Sequence, residues 1–565
     1  MTRASDFPPP YSPKEAIGTP TDPEDERIEV GVAIVGGGPA GLAAAIRLGQ
    51  LLEDDPDTAE RLGEVPIAVI EKGKQAGSHL LSGAVMNPRA IAKLFEGRKT
   101  LDEMPIGEPV KGERVYVLSK KGSIPIPPPP TMRNHGNRVV SLSQLGRWLA
   151  EQAEEGGAML LPETSATKVL VADGKVVGVR TGDKGRGKEG EELGNYEPGV
   201  DLVTKVTILA EGVQGYLTEA AVDHFDVRGA APQTWELGVK EVWRVPGGID
   251  KIVHTMGWPL RPGAKFREFG GSFIYPMGED LLTIGMVVGL DYRDAAISAH
   301  DLLQELKTHP LIRKILAGGE RLEWGAKTIS SGGFFALPKS MHAPGLLLAG
   351  EGAGFVNVPT LKGVHYAIET GRLAAESAYE ALRQGEAPHA LAALAGYDDA
   401  IRESYVWNDL KKVRNMRQVF SKGFYVGGAL ASLAQVTGGR LPGGQVASHP
   451  DAEAEIFVTD RAKHYPAPDG KLTFDKLSSV FASGNKTRDD QPNHIRVETN
   501  VPVEIAKLWT AMCPAQVYEV LEADGDSTVS VQVNPSNCVQ CGAITAKGGR
   551  LTPPEGGSGP EYKNV

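Results

Sequence analysis

The apolar, β-branched run Val32–Val35 reads as a buried strand. It leads into Gly36-Gly37-Gly38-Pro39-Ala40-Gly41 and then into the small, helix-forming Leu42–Leu48. Pro66–Ile70 repeats the strand pattern and ends at Glu71, and Val206–Ala210 repeats it again and ends at Glu211-Gly212. Leu346–Ala349 is a further strand, followed by Gly350-Glu351-Gly352-Ala353-Gly354 and a small-residue helix around Gly363–Ala375. Between these blocks, residues 225–330 alternate apolar and polar positions (SFIYPM, LLTIGMVVGLDY), the pattern of a separate sheet. At Gly270-Gly271 two glycines interrupt one of its strands, which predicts a bulge or, less simply, the close approach of a ligand. Helical spacing returns over Leu391–Asn415, the uncharged GFYVGGALASLAQVTGG follows, and beyond Gly470 the chain is rich in proline and turns.

The first glycine turn changes the picture from fold to ligand. G-x-G-x-x-G between a strand and a helix is the dinucleotide fingerprint. Gly36 makes the tight turn, Gly38 lets the backbone approach a pyrophosphate, and Gly41 lets helix and strand pack closely. Glu71, thirty residues beyond Gly41 because of the charged insert LLEDDPDTAERLGEV, is the candidate for the ribose hydroxyls of an adenosine. A nicotinamide domain needs only this first turn. A second turn some 310 residues later, at Gly350–Gly354, fits a discontinuous FAD fold with other domains inserted. The loops Gly77–Val85 and Met132–Leu142 have the Gly/Ser/Asn/His composition of cofactor-touching segments.

Composition narrows the class. A mass of 60.1 kDa requires several domains, and a mean hydropathy of -0.20 is that of a soluble chain. The net charge of -11, without a long basic run, excludes nucleic acid as a partner. The Pro-rich, acidic N-terminus has neither a signal-peptide core nor an Arg-rich transit pattern. Its expected state is extended over the surface or disordered. The two longest uncharged stretches, Val30–Ile46 and Gly423–Gly439, are seventeen residues each and broken by glycine, so neither predicts a transmembrane helix. The second reads as a buried helix or as a shallow membrane or quinone-channel segment.

The only three cysteines, Cys513, Cys538 and Cys541, fall within one short span. C-x-x-C plus one distant cysteine can hold a metal or an iron–sulfur cluster, with one thiolate fewer than the usual four.

From Glu29 to the C-terminus the sequence resembles the electron transfer flavoprotein:ubiquinone oxidoreductases (electron-transferring-flavoprotein dehydrogenases), including their bacterial FixC-type relatives. The motifs that carry the resemblance include GSHLLSGAVMNPRAI, NHGNRVVSL, PQTWELGVKEVW, HTMGWPL, FGGSF, THPLIRKIL, GFVNVPTLKGVHYA, YPAPDGKLTFDKLSSV, DDQPNHI, CPAQVYEV and PEGGSGPEY. It implies an α/β plus α+β architecture: a discontinuous Rossmann-like FAD domain of glutathione-reductase type, an inserted quinone-binding domain and a C-terminal ferredoxin-like iron–sulfur domain. The expected boundaries are an arm over 1–28, the FAD domain over 29–224 and 331–390, the quinone domain over 225–330, a helical membrane-proximal segment over 391–470, and the iron–sulfur domain over 471–565.

The resemblance further implies electrons arriving from reduced electron transfer flavoprotein and leaving on ubiquinone or menaquinone, with the chemistry borne by FAD and the cluster and no catalytic side chain. Carried over onto this chain, FAD is held by Gly36, Gly38, Gly41, Glu71, Ser82, Gly83, Glu211, Gly350, Glu351, Gly354 and Asn357. The quinone headgroup borders Gly270 and Gly271, and Cys513, Cys538 and Cys541 are cluster ligands. The implied setting is peripheral, weakly anchored, on the cytoplasmic face of a bacterial inner membrane.

Three departures stand out. The family pattern C-x24-C-x2-C-x2-C places its fourth cysteine on Ile544, so a [3Fe–4S] cluster, or a [4Fe–4S] cluster with a non-cysteine ligand, is expected. An Asn and a Thr usual near the flavin align with Ser330 and Val364, which should make the reduced, anionic flavin less favourable. Phe424–Gly439 is less aromatic than its counterparts. Two alternatives stay open: a cluster-free flavin reductase of isoprenoids or other lipids, and a C-terminal module that only docks a partner flavoprotein, its cysteines idle or on zinc.

Overall fold

Five strands run parallel at the centre of the first unit of the protein, whose computed structural model describes residues 2–21, 27–81, 85–385, 391–521 and 528–565. Their order is Leu346–Leu348, Asp201–Leu209, Arg27–Val35, Ile67–Ile70, Met159–Leu161. Val32–Val35 and Ile67–Ile70 are buried throughout, as continuous apolar strands covered on both faces must be. The helices Pro39–Glu53 and Val364–Arg383 pack on this sheet, so the two halves of the chain that carry the glycine turns build one core. An antiparallel pair, Ala166–Ala172 and Lys175–Thr181, extends the sheet beyond Asp201–Leu209.

The second unit is a seven-stranded sheet in the order Glu320–Ser330, Trp235–Arg244, Leu281–Gly289, Gly270–Pro276, Ile252–Gly257, Glu113–Leu118, Ser123–Ile126. The last two strands correct the expected boundary at 225. Glu113–Leu118 pairs in parallel with Ile252–Gly257, and Ser123–Ile126 follows as its hairpin partner. Strand pairing over such a separation leaves no local mark in the sequence. The expected bulge at Gly270-Gly271 is also absent, because the register against Val287–Val288 is continuous. The glycines are there for strand contact. A Cβ on Gly270 would lie 1.9 Å from Val287 O, and one on Gly271 would lie 2.6 Å from Thr255 O.

The C-terminal unit joins the helix Val503–Met512 to a three-stranded sheet of Asn500–Pro502, Thr528–Val533 and Tyr518–Val520. Its Trp509, Cys513, Cys538 and Ile544 belong to the same apolar core as Trp243, Leu303 and Trp324 of the second unit. The N-terminal arm lies extended. Thr2–Arg3 pairs with Glu455–Ile456, Ile17–Gly18 pairs with Val169–Leu170, and Ala4 and Ala16 are fully buried. The span 391–415 is broken into short helices, Leu391–Leu394, Gly396–Glu403 and Tyr405–Lys412.

Candidate functional site

A cavity of about 790 Å³ runs between the first two units, and the C-terminal unit closes one side. At one end is the first glycine turn. Gly36 has φ +110°, and a Cβ there would meet Ala210 O at 2.4 Å; a Cβ on Gly41 would meet Gly36 O at 2.0 Å. These two glycines therefore shape the turn itself. Gly38 is different, because a Cβ there would meet nothing closer than Leu80 Cδ2 at 3.6 Å, and its backbone faces the cavity. It precedes the fifteen-residue helix Pro39–Glu53, whose N-terminus has no side-chain cap. Open space, a bare backbone and an uncapped helix dipole suit the pyrophosphate of FAD, and the residues present fit that cofactor. Glu71 also lines the cavity; its carboxylate accepts Gly37 N at 2.9 Å and Gly73 N at 2.6 Å. Burial pushes this carboxyl above its ordinary value.

The other expected FAD residues are placed unevenly. Glu351 lines the cavity, accepts Ser330 N at 2.9 Å, and is pushed by burial up to about 7. Glu211 is on the wall too, but its carboxylate is turned to the start of the helix Tyr216–His224, accepting Leu217 N at 3.1 Å and Thr218 N at 2.7 Å. Asn357 sits in the turn behind the wall, where its backbone pairs with Lys362 and its side chain accepts Thr360 N. Gly41, Gly350 and Gly354 likewise shape turns behind the wall. Ser82 and Gly83 lie outside the described residues. Val364 lines the cavity, whereas the Ser330 hydroxyl donates to Glu351 O at 3.4 Å.

Gly270, Gly271 and Phe273 form a second stretch of wall, with His254 and Tyr275 beside them. From there the cavity reaches Phe424, Tyr425, Gly428 and Ala431 of the helix Phe424–Val436. That helix leaves Tyr425 74 % and Val436 87 % exposed, with Val426 and Leu433 about half exposed. No helix of the described residues is long and apolar enough to cross a membrane.

The cysteine loop forms part of the same wall through Gln540, Cys541 and Gly542. Two half-buried cations hold it, and neither stood out in the sequence. Lys72 Nζ donates to Gln540 Oε1 at 2.7 Å, and Lys327 Nζ donates to Gln540 O at 3.1 Å. Thr328 adds two bonds to Cys541 O, from N at 2.8 Å and from Oγ1 at 2.9 Å. The loop between the paired cysteines is thus pinned by both other units. Burial pulls Lys72 down to about 8, and it lowers Lys327 as well, against the pull of Cys541. The only sequence signal for Lys72 was its place directly after Glu71.

The three thiols lie within electrostatic reach of one another. Burial, followed by mutual repulsion, pushes Cys541 up, and burial pushes Cys538 up to about 12 and raises Cys513. Backbone N–H groups nevertheless point at sulfur: Val517 N donates to Cys513 Sγ and Gln540 N to Cys538 Sγ, each at 3.4 Å. Such donors stabilise thiolates, and a bound cation or cluster would favour that form further. Among the described residues no three His, Cys, Asp or Glu side chains are grouped as ligands of one metal ion. Ile544, at the expected fourth position, is a buried hydrocarbon packed in the same core as Cys513 and Cys538. A hydrocarbon at that position offers a cluster no donor.

Comparison with known proteins gives the family. Residues 235–329 match the family model "ETF-QO, ubiquinone-binding", and residues 470–563 match "Electron transfer flavoprotein-ubiquinone oxidoreductase, 4Fe-4S". The electron transfer flavoprotein-ubiquinone oxidoreductase of Pseudomonas aeruginosa is 38 % identical, over 96 % of this chain and 100 % of its own. The mitochondrial protein of that name from Arabidopsis thaliana is 39 % identical, over 95 % of this chain and 84 % of its own. Among solved structures, a geranylgeranyl bacteriochlorophyll reductase-like protein from Thermoplasma acidophilum shares the fold at a TM-score of 0.52 and 20 % identity, covering 77 % of this chain and 95 % of its own.

Proposed function

The chain belongs to the electron transfer flavoprotein-ubiquinone oxidoreductase family, and we infer that it is an electron-transferring-flavoprotein dehydrogenase that oxidises reduced electron transfer flavoprotein and reduces quinone. The observation that carries this reading is the single cavity linking the dinucleotide turn, the cysteine loop, the Gly270–Phe273 wall and an exposed apolar helix. Bound FAD and an iron–sulfur cluster supply the electron transfer. The chain's own residues do the remainder. Gly38 and the helix that follows it receive the pyrophosphate, and Glu71 takes the ribose hydroxyls. Gly270 and Gly271 border the quinone headgroup, and Lys72, Gln540 and Lys327 set the cysteine loop against the flavin pocket. The division into FAD, quinone and iron–sulfur domains follows the three units, with 113–126 assigned to the quinone domain. The helix Phe424–Val436 rests on a membrane leaflet, and the quinone enters along it. The protein is peripheral, and we place it on the cytoplasmic face of a bacterial inner membrane. The test is anaerobic turnover: reduced electron transfer flavoprotein should be reoxidised by a soluble quinone analogue only in the presence of the enzyme. No enzyme-dependent quinol formation would overturn the reading.

For the cluster, we assign three thiolate ligands, Cys513, Cys538 and Cys541, with no ligand from Ile544. Iron and acid-labile sulfide are expected on anaerobically prepared protein, together with the EPR signal of an oxidised three-iron cluster. In Ile544→Cys the iron content should rise and that signal should disappear. A wild-type protein that already holds four irons would instead give the fourth iron a non-cysteine ligand, and absence of iron and sulfide would overturn the assignment. Lys72→Met removes a half-buried positive charge beside the thiolates. Reduction of the cluster should become at least about tenfold less favourable, a fall of about 59 mV for one electron, read from an EPR-monitored titration.

A further inference from the structure

Reducing a quinone to a quinol consumes two protons along with two electrons, and the wall around Gly270 and Gly271 is mostly apolar. Several polar side chains break that apolar lining, and two of them on one face of the second sheet are hydrogen-bonded to each other. His254, on the strand Ile252–Gly257, pairs across with Phe273, and Tyr275 follows two residues later on the same face. The His254 Nε2 and the Tyr275 hydroxyl are 2.8 Å apart, both side chains are almost fully buried, and both line the cavity. Tyr275 is held in place by stacking on Phe273, with ring centres 4.9 Å apart. His254 Nδ1 is buried without a hydrogen-bond partner. A polar group left unsatisfied in this way costs stability, so its retention calls for a use. Lys362, also on the cavity wall and 8 % exposed, lies within electrostatic reach of His254.

We propose that Tyr275 and His254 deliver a proton to the reduced quinone, with Lys362 as the buried acid that recharges them. This rests on the quinone-reductase reading above. As the quinone takes up its two electrons, the Tyr275 O–H bond breaks and one quinol O–H bond forms, the second proton coming from bulk water. The tyrosine oxygen takes the proton from His254 Nε2, and His254 Nδ1 takes a replacement from the Lys362 ammonium through water. The imidazole ends neutral, as the other tautomer. Burial, then the charge of Lys362, holds His254 down at about 3, so across the neutral range the ring passes protons on rather than storing them. Burial brings Lys362 down to about 7, against the pull of Glu113, which places a donor near neutrality. Besides His254, the titratable groups that face Lys362 are Glu113 and His365.

The test separates proton-requiring from proton-free turnover. Tyr275→Phe and His254→Gln holoenzymes are reduced with electron transfer flavoprotein and then reoxidised by a soluble ubiquinone analogue or by ferricyanide, which takes electrons without protons. Quinone reoxidation should slow by about 100-fold, the ordinary size of a general-acid effect, with a changed solvent deuterium isotope effect. Reoxidation by ferricyanide and FAD content should stay as in the wild type. If one variant does not fold, the other and Lys362→Met carry the same comparison. Quinone reoxidation at the wild-type rate in folded variants overturns the proposal, as does equal slowing with both acceptors. A wild-type enzyme that reduces ferricyanide but no quinone would overturn the quinone-reductase reading instead.

Discussion

Gly41→Val is expected to yield protein with less than about a tenth of the wild-type flavin per chain, a loss of more than 1.4 kcal/mol in FAD affinity. The physical cause is one contact. A Cβ at residue 41 would sit 2.0 Å from Gly36 O and 3.1 Å from Ile34 Cγ2, and the first of these is backbone within the turn itself. No rotamer relieves that overlap, so the helix Pro39–Glu53 must lift from its strand and the turn must open. Overpacking against side chains costs about 1–3 kcal/mol, and a backbone clash sits at or above the top of that range. The paired control is Gly38→Ala, whose methyl points into the cavity rather than into the protein. That variant should melt like the wild type in the absence of FAD while still losing flavin. Flavin absorbance per mole of protein and apoprotein melting curves separate the two. Full flavin occupancy in Gly41→Val would mean that the turn does not hold the cofactor.

Lys307→Met should destabilise the protein by about 3–5 kcal/mol, the cost of stranding one member of a buried ion pair. Lys307 Nζ lies 2.9 and 2.8 Å from the two Glu241 oxygens, with both side chains fully buried. Trp243 Nε1 donates to the same carboxylate at 2.8 Å, and Arg321 stands 3.8 Å away. The pair lies in the core that the quinone and iron–sulfur domains share, so both should unfold together at lower denaturant. Glu241→Gln combined with Lys307→Met removes both charges and should recover part of the loss. The pH dependence has a definite sign. Burial alone would raise the Glu241 carboxyl, but Lys307 and Arg321 overrule it and hold it below its ordinary value. The stabilisation is therefore complete above the unfolded value and is lost as acid takes the pH down through the folded one. A Lys307→Met midpoint within 1 kcal/mol of the wild type would show that water or Arg321 satisfies Glu241.

Some of this architecture was legible because its causes are local. A strand–turn–helix needs its glycines within six residues of one another, so Gly36, Gly38 and Gly41 could be read directly, and so could the strand that ends at Glu71. The second turn at Gly350–Gly354 was readable for the same reason, although its distance from the first made sense only as a discontinuous domain. The cysteine spacing, and its gap at Ile544, are also linear facts. Glu211 shows the limit of such reading. A carboxylate after a strand has the look of a cofactor ligand, yet here it turns to cap a helix that starts five residues later. Gly270 and Gly271 are another case. Their purpose is set by Val287 O and Thr255 O on the neighbouring strands, and neither neighbour is close in sequence.

The sequence alone thus determined the glycine turn between strand and helix, the spacing of the three cysteines and the hydrocarbon at residue 544, since each depends on short-range backbone geometry or on residue identity. Only the tertiary structure decided that 113–126 joins the quinone sheet, that Lys72 and Lys327 meet at Gln540 between the cysteines, and that His254 and Tyr275 share a cavity wall. The physical reason is the same in each case: strand pairing and burial bring together groups from distant parts of the chain. A lysine's or histidine's chemistry is set by what surrounds it, and here those surroundings come from other strands and, for Lys72 and Lys327, from another unit of the chain.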